Sequence, residues 1–169
     1  MKQLLSLLLC LSIIVPSMAK KEQRKQNVFP DGTPISEWFL QTKVVHPDSL
    51  GKKYDLSDYG IESNPHIVQT QKIQKIIDEA AANGGGVIYI PEGIYKSGSL
   101  FFKQGTHLYL SKGATLLGSE NIMDFPLLMT RIEGEYCKYF GALINADGLD
   151  TFTISGKGTI DGNGTPYWK

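Results

Sequence analysis

Hydrophobic residues recur along this chain with two different periods, and the first is the period of an α-helix. Between residues 65 and 82 the apolar positions fall on one stripe, while charged residues occupy the other positions. Ser63 or Asn64 is a suitable N-cap, and Pro65 suits a first helical turn. Asn83-Gly84 is a typical helix stop. The pattern therefore predicts one amphipathic helix over residues 65–82. Its apolar stripe consists of Ile73, Ile76, Ile77, Ala80 and Ala81.

From Gly86 onward the hydrophobic period changes to two, which is typical of β-strands. The apolar segments are as short as strands become, and glycine-containing turns separate them. The turns between them lack the Asn-Gly and Asp-Gly pairs of tight hairpins, and too few helices intervene for an alternating α/β fold. The predicted strands are Val87–Ile90, Leu100–Phe102, His107–Leu110 and Ala114–Gly118.

An internal repeat shows how these strands are arranged. The segment HLYLSKGATLLGS, residues 107–119, aligns with TFTISGKGTIDGN, residues 151–163, at an offset of 44 residues. This alignment places Leu108 over Phe152 and a turn glycine over Gly162. Such an offset corresponds to two coils of a solenoid with roughly 20 to 25 residues each. We expect an all-β solenoid, a right-handed parallel β-helix, whose first coils are capped at their open edge by the helix over 65–82.

The first residues have the features of an export signal. Lys2 precedes an apolar run from Leu4 to Val15, and small residues at 17 and 19 suit cleavage after Ala19. A membrane anchor and a lipoprotein signal at Cys10 are the alternatives, although bulky Leu9 disfavours the second. We expect a signal peptide over 1–19, secretion or periplasmic export, and no membrane association after cleavage.

Charge and cysteine content narrow the function further. The sequence has 169 residues, enough for one domain, and its 17 basic and 17 acidic residues argue against a nucleic-acid partner. Removal of the signal would leave Cys137 as a lone thiol, which we expect to be a small buried apolar residue. The predicted organisation is a signal peptide over 1–19, an N-terminal extension over 20–53, and the cap and first coils over 54–169.

Two longer segments carry a family resemblance. The stretch IQKIIDEAAANGGGVIYIPEGIYKSGSLFFKQGTHLYLSKGATLLGS resembles the N-terminal part of the polygalacturonases, the pectin-cleaving glycoside hydrolases of family 28. The later stretch ALINADGLDTFTISGKGTIDGNGTPYW is similar to a following segment of the same family. The resemblance covers residues 54–168, and the motifs occur in the family's order, which makes the combination more specific than any single motif.

The resemblance implies hydrolysis of pectic polysaccharide by acid/base catalysis with inversion and without a metal or other cofactor. The family's Asn-x-Asp, Asp-Asp, Gly-His-Gly and Arg-x-Lys motifs follow the second segment, and the coil region of this sequence contains none of them. We therefore expect an N-terminal portion of a longer enzyme, inactive by itself, and assign no catalytic, cofactor or metal residue here. The expected partner is acidic plant cell-wall polysaccharide, either galacturonan or rhamnogalacturonan.

Two other functions stay open. A β-helical polysaccharide lyase would abstract a proton next to a uronate carboxylate, often with Ca²⁺. A non-catalytic carbohydrate-binding or surface β-helix would need neither a catalytic base nor Ca²⁺.

The polar residues of the coil region are better explained by structural roles than by catalytic or binding roles. Glycoside hydrolysis usually needs two carboxyl groups, but the aspartates of the coil region stand where turns are expected. His107 is expected to face solvent, and the lysines to be solvated at turns. We expect the tyrosines to pack on coil faces. The residues considered are Asp147, Asp150 and Asp161, Lys96, Lys103, Lys112 and Lys157, and Tyr89, Tyr95 and Tyr109.

Overall fold

The computed structural model describes residues 28–40 and 45–168, which fall into two separate units. The first unit, residues 28–40, contains an antiparallel bridge between Val28 and Pro34 and a 3-10 helix, Glu37–Leu40. The predicted signal peptide over 1–19 lies outside the described residues. The predicted boundary at residue 54 stays a prediction.

The second unit, residues 45–168, consists of short strands, one α-helix and several 3-10 turns. The strands are β1 (Lys53–Asp55), β2 (Asn64–Val68), β3 (Gly86–Ile90), β4 (Gly93–Ser97), β5 (Leu100–Phe101), β6 (Thr106–Leu110), β7 (Ala114–Gly118), β8 (Leu127–Ile132), β9 (Glu135–Phe140), β10 (Ile144–Asn145), β11 (Ile154–Gly156) and β12 (Thr159–Asp161). The helix α1 is Thr70–Ala82, and the 3-10 helices are Pro47–Leu50, Leu56–Tyr59, Ile122–Asp124 and Thr165–Tyr167.

Three parallel sheets form the body of this unit. The first sheet has the order β1-β3-β6-β11, the second β2-β4-β7-β12, and the third pairs β5 with β10. Successive strands of the chain enter successive sheets, so that β3, β4 and β5 form one coil and β6, β7 and β10 form the next. This arrangement confirms the predicted parallel β-helix.

Inward side chains stack in columns through the coils. In the first sheet, Tyr54, Ile88, Leu108 and Ile154 occupy equivalent positions on four adjacent strands. Leu108 is 0% exposed because strands cover it on both sides, whereas Ile154 on the last strand is 47% exposed. Each coil therefore buries the apolar positions of its neighbour, as expected for a solenoid.

Helix α1 covers the free edge of the third sheet with polar as well as apolar side chains. The amide of Gln74 accepts a hydrogen bond from Phe101 N (2.8 Å) and donates one to Phe101 O (2.9 Å). Thr70 Oγ1 accepts one from Gly98 N (2.7 Å). These bonds replace the missing neighbouring strand. Four residues of the predicted apolar stripe are buried beneath them, Ile73, Ile76, Ile77 and Ala80, whereas Ala81 is half-buried.

The helix begins later than the sequence pattern predicts. Residues 64–68 form β2, which pairs in parallel with β4, and the helix starts only at Thr70. Pro65 is tolerated because β2 is the edge strand of its sheet, where a missing N–H leaves no ladder bond broken. The predicted helix end is confirmed, since Asn83 is the C-cap and Gly84 has a φ of +89°.

The offset of 44 residues spans one coil and not the predicted two, because β11 and β12 pair directly with β6 and β7, and the hairpin β8–β9 lengthens the coil between them. The offset itself is right for one sheet and wrong for another. In the second sheet Thr159 pairs with Thr115, as predicted, but in the first sheet Ile154 pairs with Leu108, an offset of 46. The later coil turns this corner with two fewer residues. Gly156 permits the tight corner because its φ is +111° and a Cβ there would lie 1.9 Å from Leu110 O.

Phe152 consequently does not lie over Leu108. It packs beside Phe102, with ring centres 4.9 Å apart, and still contacts the core from the turn before β11.

The sequence pattern missed β4, the short strand β10 and a hairpin. Strand β4 was not predicted, because Gly93–Ser97 mixes a glycine, a lysine and a serine with two apolar residues. The antiparallel hairpin β8–β9 was also missed. Its two-residue turn, Glu133-Gly134, has φ values of +51° and +95°, the conformation usually signalled by Asn-Gly or Asp-Gly.

We predict that Gln74→Ala destabilises the coils, because it leaves both backbone groups of Phe101 without their helix partner. The free energy of unfolding, measured by urea denaturation, should fall by about 1–3 kcal/mol. Gln71→Ala on the exposed face of the same helix is the control and should change it by less than about 0.5 kcal/mol. Equal effects of the two substitutions would contradict the edge-capping role.

Candidate functional site

A cleft of about 810 Å³ lies over the third sheet of the second unit. Its floor includes Phe101 and Asn145 from β5 and β10. One wall is the hairpin β8–β9, which leaves the coil between β7 and β10. A cleft of this size, lined by both apolar and polar groups, is large enough for a small molecule or a sugar unit.

Side chains from both faces of the hairpin border the cleft. Leu128, Thr130 and Ile132 of β8 and Tyr139 of β9 lie on one face, and the other face contributes Met129 and Phe140. The aromatic rings of Phe101, Phe102, Tyr139 and Phe140 give the cleft flat apolar surfaces. Such surfaces bury the C–H faces of sugar rings favourably.

The base of the hairpin is tied to the coil by hydrogen bonds. Gly141 N donates to Pro126 O (2.8 Å), which closes the hairpin where it leaves the coil. The side chain of Asn145 donates to Leu100 O (3.1 Å) and to Ala142 O (2.7 Å) and accepts from Ala142 N (3.0 Å). Asn145 is therefore a structural clamp that fixes the cleft floor to the chain leaving the hairpin.

One carboxylate stands among the described lining residues of the cleft. Asp147 is exposed and lies two residues after the end of β10. Asp150, three residues later, lies outside the cleft, where its backbone N and O bind the side chain of Gln104 (3.0 and 3.2 Å). Of these two aspartates, only Asp147 is therefore placed to contact a ligand in the cleft.

Asp161 has the structural role that the sequence predicts. Its Oδ1 accepts a hydrogen bond from Asn163 N (2.8 Å), a turn in which the aspartate binds its own backbone two residues later. Asn163 in turn donates from its side chain to Gly118 O (3.1 Å), which joins this turn to the preceding coil.

Lys96 does not lie at a solvated turn, as the sequence suggested, but inside β4. Its side chain is 6% exposed, and its ammonium group lies 2.7 and 2.8 Å from the two carboxylate oxygens of Glu120. The hydrogen bond from Lys96 lowers the pKa of Glu120. Pairing neutralises a charge that would otherwise be buried alone.

The other candidate residues take part in packing. Tyr95 is buried in the core, as predicted, and Tyr89 stacks on Tyr109 with ring centres 5.4 Å apart. His107 is half-buried instead of solvated, and burial lowers its pKa. Cys137 is half-buried on the hairpin.

Two further properties concern ions and membranes. Within residues 28–40 and 45–168, no three His, Cys, Asp or Glu side chains are grouped as metal ligands would be. Across the same ranges, the helices are too short or too polar to cross a bilayer.

Comparison with known proteins gives the fold a family. No protein-family model matches the chain. The chain is 34% identical over 152 residues to an exo-poly-alpha-D-galacturonosidase of Dickeya chrysanthemi, across 85% of this chain and 24% of that protein. It is 37% identical over 129 residues to plasmin and fibronectin-binding protein A of Streptococcus pneumoniae, across 74% of this chain and 17% of that protein.

A solved structure agrees with the first of these relatives. The family 28 exopolygalacturonase of Yersinia enterocolitica superposes with a TM-score of 0.58 at 33% identity, across 66% of this chain and 21% of that one. The fold is thus that of the parallel β-helix proteins. Over its matched length it is homologous to the polygalacturonases of glycoside hydrolase family 28, which confirms the predicted resemblance. The chain spans about a quarter or less of the length of these relatives.

We predict that the Lys96–Glu120 pair makes stability depend on pH. Because the folded chain lowers the pKa of Glu120, the pair stabilises the fold above the ordinary carboxyl pKa. This contribution is lost as the pH falls through the lowered value. The Tm of Glu120→Gln should lie below that of the wild type at pH 7, and the gap should narrow below about pH 4.

Glu135→Gln is the control, since Glu135 is an exposed residue of the hairpin strand β9. Its Tm should follow that of the wild type across the same pH range. A gap for Glu120→Gln that stays constant down to pH 3 would contradict the assignment.

Proposed function

We propose that this chain is part of a secreted glycoside hydrolase that acts on pectic polysaccharide, and that the cleft over the third sheet binds the polysaccharide. The observation that carries the proposal is the 34% identity, over most of this chain, to a protein named as an exo-poly-alpha-D-galacturonosidase. The aromatic cleft supports it, because planar side chains beside hydrogen-bonding groups are suited to a chain of sugar rings.

The proposed chemistry needs carboxylates in addition to those of this cleft. Hydrolysis of a glycosidic bond uses two carboxyl groups on opposite sides of the bond, one as acid and one as base. Asp147 is the carboxylate among the described lining residues of the cleft. We therefore propose that the catalytic pair is supplied by coils that follow residue 169, and that this chain contributes substrate binding.

We predict that the 169-residue chain binds pectic oligosaccharides but releases no reducing ends from them. Tyr139→Ala should raise the Kd for an oligogalacturonide mixture roughly three- to tenfold, because an aromatic contact in the cleft is lost. Isothermal titration calorimetry measures the affinity, and a reducing-sugar assay measures cleavage.

Tyr136→Ala is the matched control, because Tyr136 is an exposed tyrosine of the same hairpin strand that does not line the cleft. Its Kd should equal that of the wild type. Similar losses of affinity for both variants would place the contact outside the cleft. Release of reducing ends by the wild-type chain would contradict the proposal that later coils supply the catalytic pair.

A second candidate is a binding function without catalysis. The relative in Streptococcus pneumoniae is named for binding plasmin and fibronectin, and this chain is 37% identical to it over 129 residues. A chain with that function would bind a protein partner through the exposed apolar residues of its hairpin, such as Met129 and Tyr136. Binding of fibronectin but of no pectic oligosaccharide would favour this candidate.

We also propose export with removal of residues 1–19. The mature protein should begin at Lys20, which intact-mass spectrometry of the exported product can measure. Ala19→Phe should block cleavage, since signal peptidase needs a small residue there. Met18→Ala changes the neighbouring position and should leave cleavage unaffected. A product that retains the first 19 residues would contradict the proposal.

A further inference from the structure

Two opposite charges border the cleft, and together they determine how an acidic sugar unit is oriented there. We infer that Lys138 of the hairpin binds a carboxylate of the sugar chain at the rim of the cleft, while Asp147 repels that carboxylate. This inference rests on the proposed function, because it assigns two residues to the recognition of the same polysaccharide.

Lys138 lies beside the cleft on the hairpin strand β9. It pairs directly with Met129 of β8, and Phe140 follows it by two residues, so the three side chains share one face of the hairpin. Met129 and Phe140 both line the cleft. Lys138 is exposed, and its flexible four-carbon stem lets the ammonium group reach the rim beside them.

The charge of Lys138 is available to a ligand. Among the residues that the structure describes, no ion pair includes this lysine. Lys103, which follows the lining residue Phe102, instead binds Asp78 on α1 at 2.8 Å. The coil lysine next to the cleft in sequence is thus occupied by a carboxylate of its own chain, whereas the hairpin lysine is not.

The other cation of the same hairpin face is held near the turn. Arg131 pairs with Tyr136, one pair further from the base of the hairpin, and neither residue lines the cleft. The Nε of Arg131 donates to Gly134 O (3.1 Å), and its guanidinium lies 5.9 Å from the centre of the Tyr136 ring. Lys138 is therefore the cation of this face that is placed nearest to the cleft.

The negative charge is that of Asp147, which lines the cleft near the floor residue Asn145. The amide donors of Asn145 are already bound to backbone oxygens, at 3.1 Å from Leu100 O and 2.7 Å from Ala142 O. They do not offset a second carboxylate beside Asp147, so a uronate unit is favoured when its carboxylate turns toward Lys138. Asp147 can then accept hydrogen bonds from the sugar hydroxyl groups.

The test measures Kd by calorimetry at pH 7 and low salt for two oligogalacturonides of equal length, one in the free acid form and one fully methyl-esterified. Lys138→Gln should raise the Kd of the free acid roughly two- to fivefold, the size of an exposed ion pair, and leave that of the ester unchanged. The loss should shrink as salt rises, because screening weakens the attraction.

Two variants control for the loss of a lysine. Lys138→Arg keeps the charge and should restore the free-acid Kd to that of the wild type. Lys112→Gln removes an exposed lysine from the turn between β6 and β7, outside the cleft, and should change neither Kd.

Asp147→Asn should have the opposite effect to Lys138→Gln. Removing its charge while keeping its shape should lower the free-acid Kd by up to about threefold, the factor for two like charges ~6 Å apart in water, and should not affect the ester. Asp150→Asn, an exposed aspartate outside the cleft, is the matched control and should change neither Kd.

Three results would overturn the inference while leaving the proposed function in place. They are a free-acid Kd that Lys138→Gln does not raise, an equal loss for acid and ester in that variant, and a free-acid Kd that Asp147→Asn does not lower. Failure of the wild-type chain to bind either oligosaccharide would refute the proposed function as well.

Discussion

Stacking of equivalent strands is the interaction on which the rest of this structure depends. Ile88 and Leu108 are buried because each lies between inward side chains of the strands above and below. No coil has a core of its own. The order of the whole stack therefore depends on which groups bond the unpaired backbone N–H and C=O groups at its first edge. Helix α1 does this with a side-chain amide. Gln74 binds both backbone groups of Phe101 as a neighbouring strand would, while the apolar stripe below it continues the core.

Much of this architecture is present in the sequence, because inward positions must be apolar in every coil. The period of two after Gly86 and the recurrence near 44 residues were enough to predict parallel coils. The details that failed depend on tertiary pairing. Asn64–Val68 is extended because β4 offers a partner, and Lys96 is tolerated inside because Glu120, 24 residues later, reaches it. Neither partner is indicated by local sequence.

The cleft could not be predicted from the sequence, for a related reason. Its floor combines residues near 101 and 145, and its wall is a hairpin that the coil repeat does not contain. A signal for the hairpin does exist, since Glu133-Gly134 separates two alternating apolar segments, but a glutamate at the first turn position is a weak marker. The sequence predicts only that Asp147 is a turn residue. Its place in the lining of the cleft depends on the hairpin, which the sequence pattern does not predict.

The attachment of the hairpin at Pro126 and Gly141 has a consequence for how this scaffold can change. Because those two residues are hydrogen-bonded to each other, the fourteen residues between them form a closed excursion that leaves the spacing of the coils untouched. Insertions, deletions or exchanges within the excursion would alter what borders the cleft without shifting any strand of the stack. The border of the cleft and the stacking of the coils are therefore set by separate stretches of chain, so that the first can change in sequence while the second keeps its geometry.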